Sequence, residues 1–144
     1  VGCLGRMTAF AETEDGRILV TLRGICRFRV VKEKRASLAY RRFDVSYDDF
    51  AADLVSDHHS RTVNRDAVVK AFRMYLEANS MTANWDEVSQ VSTENLVNTL
   101  SQLAPYPAEE KQALLEAADL SARADMLIAL TELALAKDAR KSLQ

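Results

Sequence analysis

The first 32 residues constrain the fold most strongly, because apolar and polar side chains alternate on both sides of Asp15-Gly16. Asp-Gly between alternating runs favours a β-hairpin, since both residue types accept the positive φ angles that tight turns require. With Asp15 and Gly16 as a two-residue loop, Glu14 faces Arg17, and that register fixes every later cross-strand pair. We therefore predict two long antiparallel strands between Val1 and Lys32.

This register divides the predicted hairpin into two faces of different composition. One face is wholly apolar: Cys3, Gly5, Met7, Ala9, Ala11, Ile18, Val20, Leu22, Gly24, Cys26, Phe28 and Val30. The opposite, outer face mixes arginines with apolar residues: Leu4, Arg6, Thr8, Phe10, Glu12, Arg17, Leu19, Thr21, Arg23, Ile25, Arg27 and Arg29. A slip of one residue would exchange the two faces. We expect the apolar face to be buried and its two cysteines to be small core residues in a reducing compartment, with a disulfide as the alternative.

The sequence period changes after the hairpin and predicts an α+β protein. Alternation from Tyr40 to Tyr47 predicts a third strand, and helical spacing of apolar residues begins at Arg65. We therefore divide the chain into a β-half at 1–47, a linker at 48–64 and a helical bundle at 65–144. In the linker, Phe50 and Leu54 are spaced to form a short amphipathic turn that docks on the sheet. Four further helix starts are predicted, at Asn84, Ser92, Pro107 and Ser121.

Two motifs, in order, resemble one known family. The first is V-G-x-L-x-R-M followed by D-G-x-x-x-V-x-L-x-G-I-x-R-F-R-V, within residues 1–30. The second is Glu110-Lys111-Gln112, then Leu114-Leu115-Glu116, Asp119-Leu120 and Arg123. Together they resemble the Lon N-terminal domain, the substrate-recognition module of the ATP-dependent protease Lon, and are most similar to short bacterial Lon-like proteins without ATPase or protease domains. The resemblance implies a partial PUA-like β-barrel or curled antiparallel sheet followed by a helical bundle, with the first part of the β-half missing from this chain.

Composition and charge narrow the classes of ligand and the cellular location that we expect. With 19 basic and 21 acidic side chains, the formal charge of −2 gives no global attraction toward nucleic acid or an anionic membrane. No signal peptide and no apolar run of membrane-spanning length occurs in the sequence, so we expect a cytoplasmic protein.

Motifs for catalysis are absent from the sequence. The four glycines form neither a phosphate-binding loop nor a dinucleotide-binding turn, and no segment resembles the Ser-Lys dyad region of Lon. We predict a protein that is not an enzyme and has no cofactor. His58 and His59, preceded by Asp53 and Asp57, lack the spacing of known metal sites, so we interpret this cluster as an exposed loop rather than a metal centre.

The outer hairpin face is the candidate site. Its proposed substrate-binding residues are Leu4, Arg6, Phe10, Leu19, Ile25 and Arg27. Three interpretations remain open: the apolar members are covered while the arginines pair with acids such as Asp44, Asp48 and Asp49; the face binds unfolded or partner polypeptide, as the resemblance implies; or it binds RNA. The net charge makes RNA the least favoured of these ligands. We expect no membrane partner. An exposed sheet edge would allow two copies of the chain to form a homodimer.

Overall fold

The computed structural model describes residues 1–35, 39–55 and 63–141, and the chain divides into two units, Val1–Ser56 and Asp57–Gln144. The first unit contains a three-stranded antiparallel sheet and the second contains helices, so the α+β class is confirmed. Among the described residues the sheet has open edges and does not close into a barrel.

The sheet has the strand order β1 (Gly2–Glu12), β2 (Ile18–Lys34) and β3 (Arg42–Ser46). The third strand lies within the predicted Tyr40 to Tyr47 segment, so the prediction of a strand there is confirmed. Since β2 is central, β1 and β3 form the two edges of the described sheet.

The hairpin loop is one residue longer than predicted, so the prediction of a two-residue loop is wrong. The Thr13 N–H donates to the Arg17 carbonyl at 2.9 Å, and the Gly16 N–H donates to the Thr13 carbonyl at 2.9 Å. The loop therefore contains three residues, Glu14, Asp15 and Gly16, and Gly16 has a φ of 76°. This is a type I turn followed by a left-handed glycine. The Asp15 carboxylate accepts a hydrogen bond from the Thr13 hydroxyl, which lowers the pKa of Asp15 and holds it inside the turn.

The extra loop residue changes the cross-strand register. Phe10 lies opposite Val20, whereas the predicted register places it opposite Thr21. The pairing of β1 with β2 also has two irregularities. The register shifts between Leu4 and Gly5, which leaves Ile25 as an extra residue in β2, and it shifts between Met7 and Ala9, which leaves Thr8 as an extra residue in β1. Each extra residue is a β-bulge, which rotates the residues beyond it relative to the partner strand. The predicted faces are consequently rearranged.

The predicted burial of the apolar hairpin face is also wrong, because most of β1 and β2 is exposed. Cys3 is exposed, whereas Cys26 is buried, and both thiols are free. The register places Cys3 opposite Arg27 and Leu4 opposite Cys26, so the two cysteines do not share a cross-strand position.

The buried part of the sheet unit lies where a 3-10 segment, Asp48–Leu54, contacts β2. Phe50 is buried there, so its predicted docking is confirmed, but Leu54 is exposed and the prediction for it is wrong. The Cys26 thiol donates to the Phe50 carbonyl at 3.5 Å.

The helical unit contains five helices in its described residues: α1 (Arg65–Ala78), α2 (Trp85–Gln90), α3 (Thr93–Leu103), α4 (Ala108–Glu116) and α5 (Leu120–Lys141). Three N-caps explain where helices begin, because the side chains of Asn64, Asn84 and Ser92 accept backbone N–H groups of α1, α2 and α3. The caps predicted at Asn84 and Ser92 are confirmed.

Two predicted helix starts are displaced by one residue. Pro107 precedes the first residue of α4 instead of occupying it. The last helix begins at Leu120 rather than Ser121, and the Asp119 side chain accepts the Ala122 N–H at 2.8 Å. Asp119 is the better start signal because its carboxylate reaches the free N–H groups of the first turn.

Helix α5 is central to this unit, as its long apolar pattern predicts, and contacts α1, α3 and α4. The core consists of Val68, Leu96, Val97, Leu100, Leu114, Leu120, Ala124 and Leu127. None of the helices in the described part of the chain has the length and apolarity needed to cross a membrane.

Candidate functional site

One side of the hairpin carries an exposed group of large apolar side chains. Alternate residues of β2 from Ile18 to Leu22 point to the same side, together with their β1 partners. The apolar face consists of Met7, Phe10, Ile18, Val20 and Leu22, and Glu12, the partner of Ile18, lies at its loop end. The exposed fractions of the five apolar residues are 56%, 62%, 61%, 40% and 61%, so none is a core residue of the described chain. Contiguous exposed apolar area of this kind is typical of interaction surfaces.

The other side of the same hairpin is basic. Arg6 and Arg23 lie directly opposite each other in the register, and both are exposed. We call this side the basic face; its members are Leu4, Arg6, Ala9, Ala11, Leu19, Thr21 and Arg23. The two faces share one strand edge, because β1 pairs with β2 alone within the described residues.

The structure separates the predicted site residues. Leu4, Arg6 and Leu19 belong to the basic face, while Phe10 belongs to the apolar face. Ile25 is the bulge residue of β2 and is partly exposed. The single outer face expected from a regular two-residue loop therefore does not exist.

Arg27, the sixth predicted site residue, is buried and bonded within the sheet unit. Its Nη2 lies 2.7 Å from Asp53 Oδ1, and its Nε and backbone N lie 2.8 and 3.0 Å from Asp53 Oδ2. The guanidinium also lies 4.4 Å from the centre of the Phe50 ring. These contacts fix the 3-10 segment against β2 and leave 6% of Arg27 exposed, so we exclude it from the candidate surface.

The alternative in which arginines pair with nearby acids holds for part of the sheet unit. Arg29 pairs with Asp49 at 2.6 Å, whereas Asp44 pairs with Lys34 at 2.7 Å and Asp48 accepts the Ser46 hydroxyl. Arg6 and Arg23 differ from these side chains: neither has a hydrogen-bond or ion-pair partner in the part of the chain that the structure describes.

The remaining candidate chemistry contributes nothing to this surface. Burial raises the pKa of the Cys26 thiol, and the nearby Asp53 charge raises it further, so little of the nucleophilic thiolate forms at neutral pH. No group of three His, Cys, Asp or Glu side chains in residues 1–35, 39–55 and 63–141 is placed to hold a metal ion. His58, His59 and Asp57 lie outside the described residues, and Asp53 is bonded to Arg27.

Sequence reasoning missed four members of the apolar face and one member of the basic face: Met7, Ile18, Val20, Leu22 and Arg23. Met7, Ile18, Val20 and Leu22 share one predicted face, but that face is expected to be buried, whereas the structure exposes it. Thr13 is the signal that could have added Phe10 to this face, because a three-residue loop places Phe10 opposite Val20. The Thr13 hydroxyl binds the Asp15 side chain, and this short-range contact favours a three-residue loop ending in Gly16.

A three-stranded antiparallel sheet with an exposed hairpin, followed by a helical unit, defines an α+β protein. Residues 1–132 match the model of one family, the ATP-dependent protease La (LON) substrate-binding domain. The match covers most of the chain, and the chain belongs to this family. A comparison with curated proteins finds no match.

Proposed function

We propose that this chain is a non-catalytic polypeptide-recognition module that acts in the cytoplasm and binds extended apolar segments of unfolded or tagged proteins, or of a proteolysis partner. One observation carries the proposal: five large apolar side chains are exposed together on the hairpin, beside the open edge of β1. Membership in a substrate-binding family supports a polypeptide ligand and a PUA-like arrangement of the strands.

The proposed mode of binding is strand addition. An extended segment pairs its backbone with the free edge of β1, and its alternate side chains cover the apolar face. Burying one side chain such as Phe10 yields about 1.5 to 3 kcal/mol, from which the loss of ligand freedom is subtracted. The bulge at Thr8 limits the regular length of the edge, which favours short segments and weak binding.

RNA binding is the second candidate function, because Arg6 and Arg23 are exposed cations without carboxylate partners in the described residues. Salt separates the two candidates. Phosphate contacts lose affinity steeply as ionic strength rises, whereas apolar burial holds or strengthens. A second copy of the chain would compete with polypeptide for the β1 edge, so the oligomeric state is measured alongside binding.

The experiment is fluorescence anisotropy with a labelled unfolded polypeptide and a labelled RNA oligonucleotide at low and high salt. We expect salt-resistant polypeptide binding that weakens about tenfold in Phe10→Ser, since one large apolar contact is lost. The matched control is Leu103→Ser, which removes an apolar side chain that is 74% exposed in the helical unit. Equal affinities in Phe10→Ser and wild type, or salt-sensitive RNA binding without polypeptide binding, would contradict the proposal.

A further inference from the structure

Two arginines face each other across the hairpin at a cost to stability. Arg6 and Arg23 are directly opposed in an antiparallel pair, where like charges repel. The pairing is internal to β1 and β2, between two bulges, so neither arginine sits at a frayed strand end. An unfavourable contact in a regular stretch of strand suggests that the two charges serve a purpose other than folding.

Five other cations of the sheet unit are neutralised by carboxylates, whereas Lys32, Arg35 and Arg42 have no ion pair among the described residues. The described ion pairs are Arg17 with Asp15, Arg27 with Asp53, Arg29 with Asp49, Lys34 with Asp44, and Arg41 with Glu33. Since Arg6 and Arg23 have no such partner among the described residues, both guanidinium groups are free to bind an external anion.

The chemistry of the pair favours a carboxylate. A guanidinium group presents a planar set of donors that matches a carboxylate in a bidentate geometry. Leu4 and Leu19 lie on the same face, so the anion approaches beside apolar surface rather than within a basic stripe. An extended nucleic acid strand would need cations repeated along its backbone, and the basic face supplies two.

We propose that Arg6 and Arg23 form a carboxylate subsite that selects polypeptide segments in which acidic and apolar residues alternate. A strand added to the β1 edge sends its side chains alternately to the two sides of the sheet. One set covers the apolar face, and the other set reaches the basic face. This inference rests on the polypeptide-binding function proposed above and specifies its substrate class.

The test uses three labelled peptides of equal length, in which valine alternates with glutamate, glutamine or lysine between identical Gly-Ser spacers. Anisotropy with the full chain is expected to give roughly fivefold tighter binding of the glutamate peptide than of the glutamine peptide, the size of one or two exposed ion pairs. This preference should shrink at high salt. The double variant Arg6→Gln/Arg23→Gln should lose the preference while it keeps the wild-type affinity for the glutamine peptide.

Two controls separate the carboxylate subsite from a structural effect. Arg17→Gln removes a positive charge from the same hairpin, at an arginine already paired with Asp15, and should retain the glutamate preference. The double variant should melt at or above the wild-type temperature, because it removes a repulsion; a lower melting temperature would indicate a structural role and overturn the inference.

The outcomes also distinguish this inference from the proposed function. If the glutamate and glutamine peptides bind equally well, the inference of a carboxylate subsite is wrong, while the proposed polypeptide recognition is unaffected. If no peptide binds, both the inference and the proposed function are wrong. If an RNA oligonucleotide binds in a manner that depends on Arg6 and Arg23 while the glutamate preference is absent, the pair is a phosphate site and the inference is overturned.

Discussion

The ion pair between Arg27 and Asp53 is the most buried of the ion pairs described in the sheet unit, with side-chain exposures of 7% and 22%. Asp53→Asn would remove the carboxylate charge that three Arg27 nitrogens contact inside the unit. We expect the sheet unit to lose about 2 to 3 kcal/mol of stability, toward the lower end for a buried pair because Asp53 is partly exposed. Amide hydrogen exchange of the β1 to β2 ladder measures this loss directly.

The matched control for this prediction is Asp49→Asn. Its carboxylate pairs with Arg29, and both side chains are more than half exposed. Exposed pairs contribute about 0 to 1 kcal/mol, so exchange in the ladder should change little. Equal effects of the two substitutions would show that burial of the Arg27 pair contributes no additional stability.

At the scale of single residues, the sequence predicts which side chains are cations but not which of them are neutralised. Asp53 is 26 residues from Arg27 and lies in a segment without strand alternation, so no local pattern links the two. The sequence pattern therefore predicts Arg27 in the candidate site, whereas the structure buries it. Arg6 is exposed and shares a face with Leu4, as the local alternation within β1 predicts.

At the scale of elements, the hairpin loop sets the register of the sheet. Gly16 has a φ of 76°, a conformation that costs an alanine roughly 1 kcal/mol. Gly16→Ala should therefore destabilise the hairpin by about that amount, while Gly16→Asn should cost less, since asparagine tolerates left-handed backbone. Exchange of the Thr13 amide, which donates to the Arg17 carbonyl, reports the effect.

The control is Glu14→Ala, at a turn position that accepts most residues. It should leave the exchange of the Thr13 amide near the wild-type rate. If Gly16→Ala also leaves that rate unchanged, the loop does not depend on the left-handed glycine, and its role in setting the register is refuted.

Elements with local signals were predictable, and the sheet register was not. The caps at Asn84 and Ser92 act within one helical turn, so the sequence locates the first residues of α2 and α3. The register depends on whether the loop holds two or three residues, and Asp15-Gly16 is compatible with both. One extra loop residue was enough to move Phe10 to the opposite face from Leu19, because both residues lie between the loop and the first bulge.

At the scale of the whole molecule, the chain divides into two units, each with buried residues of its own. The buried cluster of the helical unit includes Leu114, which is 1% exposed. Trp85, the chain's one tryptophan, lies in α2, so its fluorescence reports the helical unit. Hydrogen exchange of β2 amides reports the sheet unit.

Leu114→Ala should therefore destabilise one unit and spare the other. Truncating a fully buried leucine costs about 2 to 5 kcal/mol through lost burial and the cavity left behind. We expect the Trp85 transition in urea to move to lower concentration, while β2 amides keep their wild-type exchange. Asp53→Asn should give the reverse result, and Leu103→Ala, at an exposed position, should change neither readout by more than about 0.5 kcal/mol. If Leu114→Ala accelerates exchange in β2 to the same extent, the chain unfolds as one cooperative body, and ligand binding at the hairpin would then stabilise the helices as well.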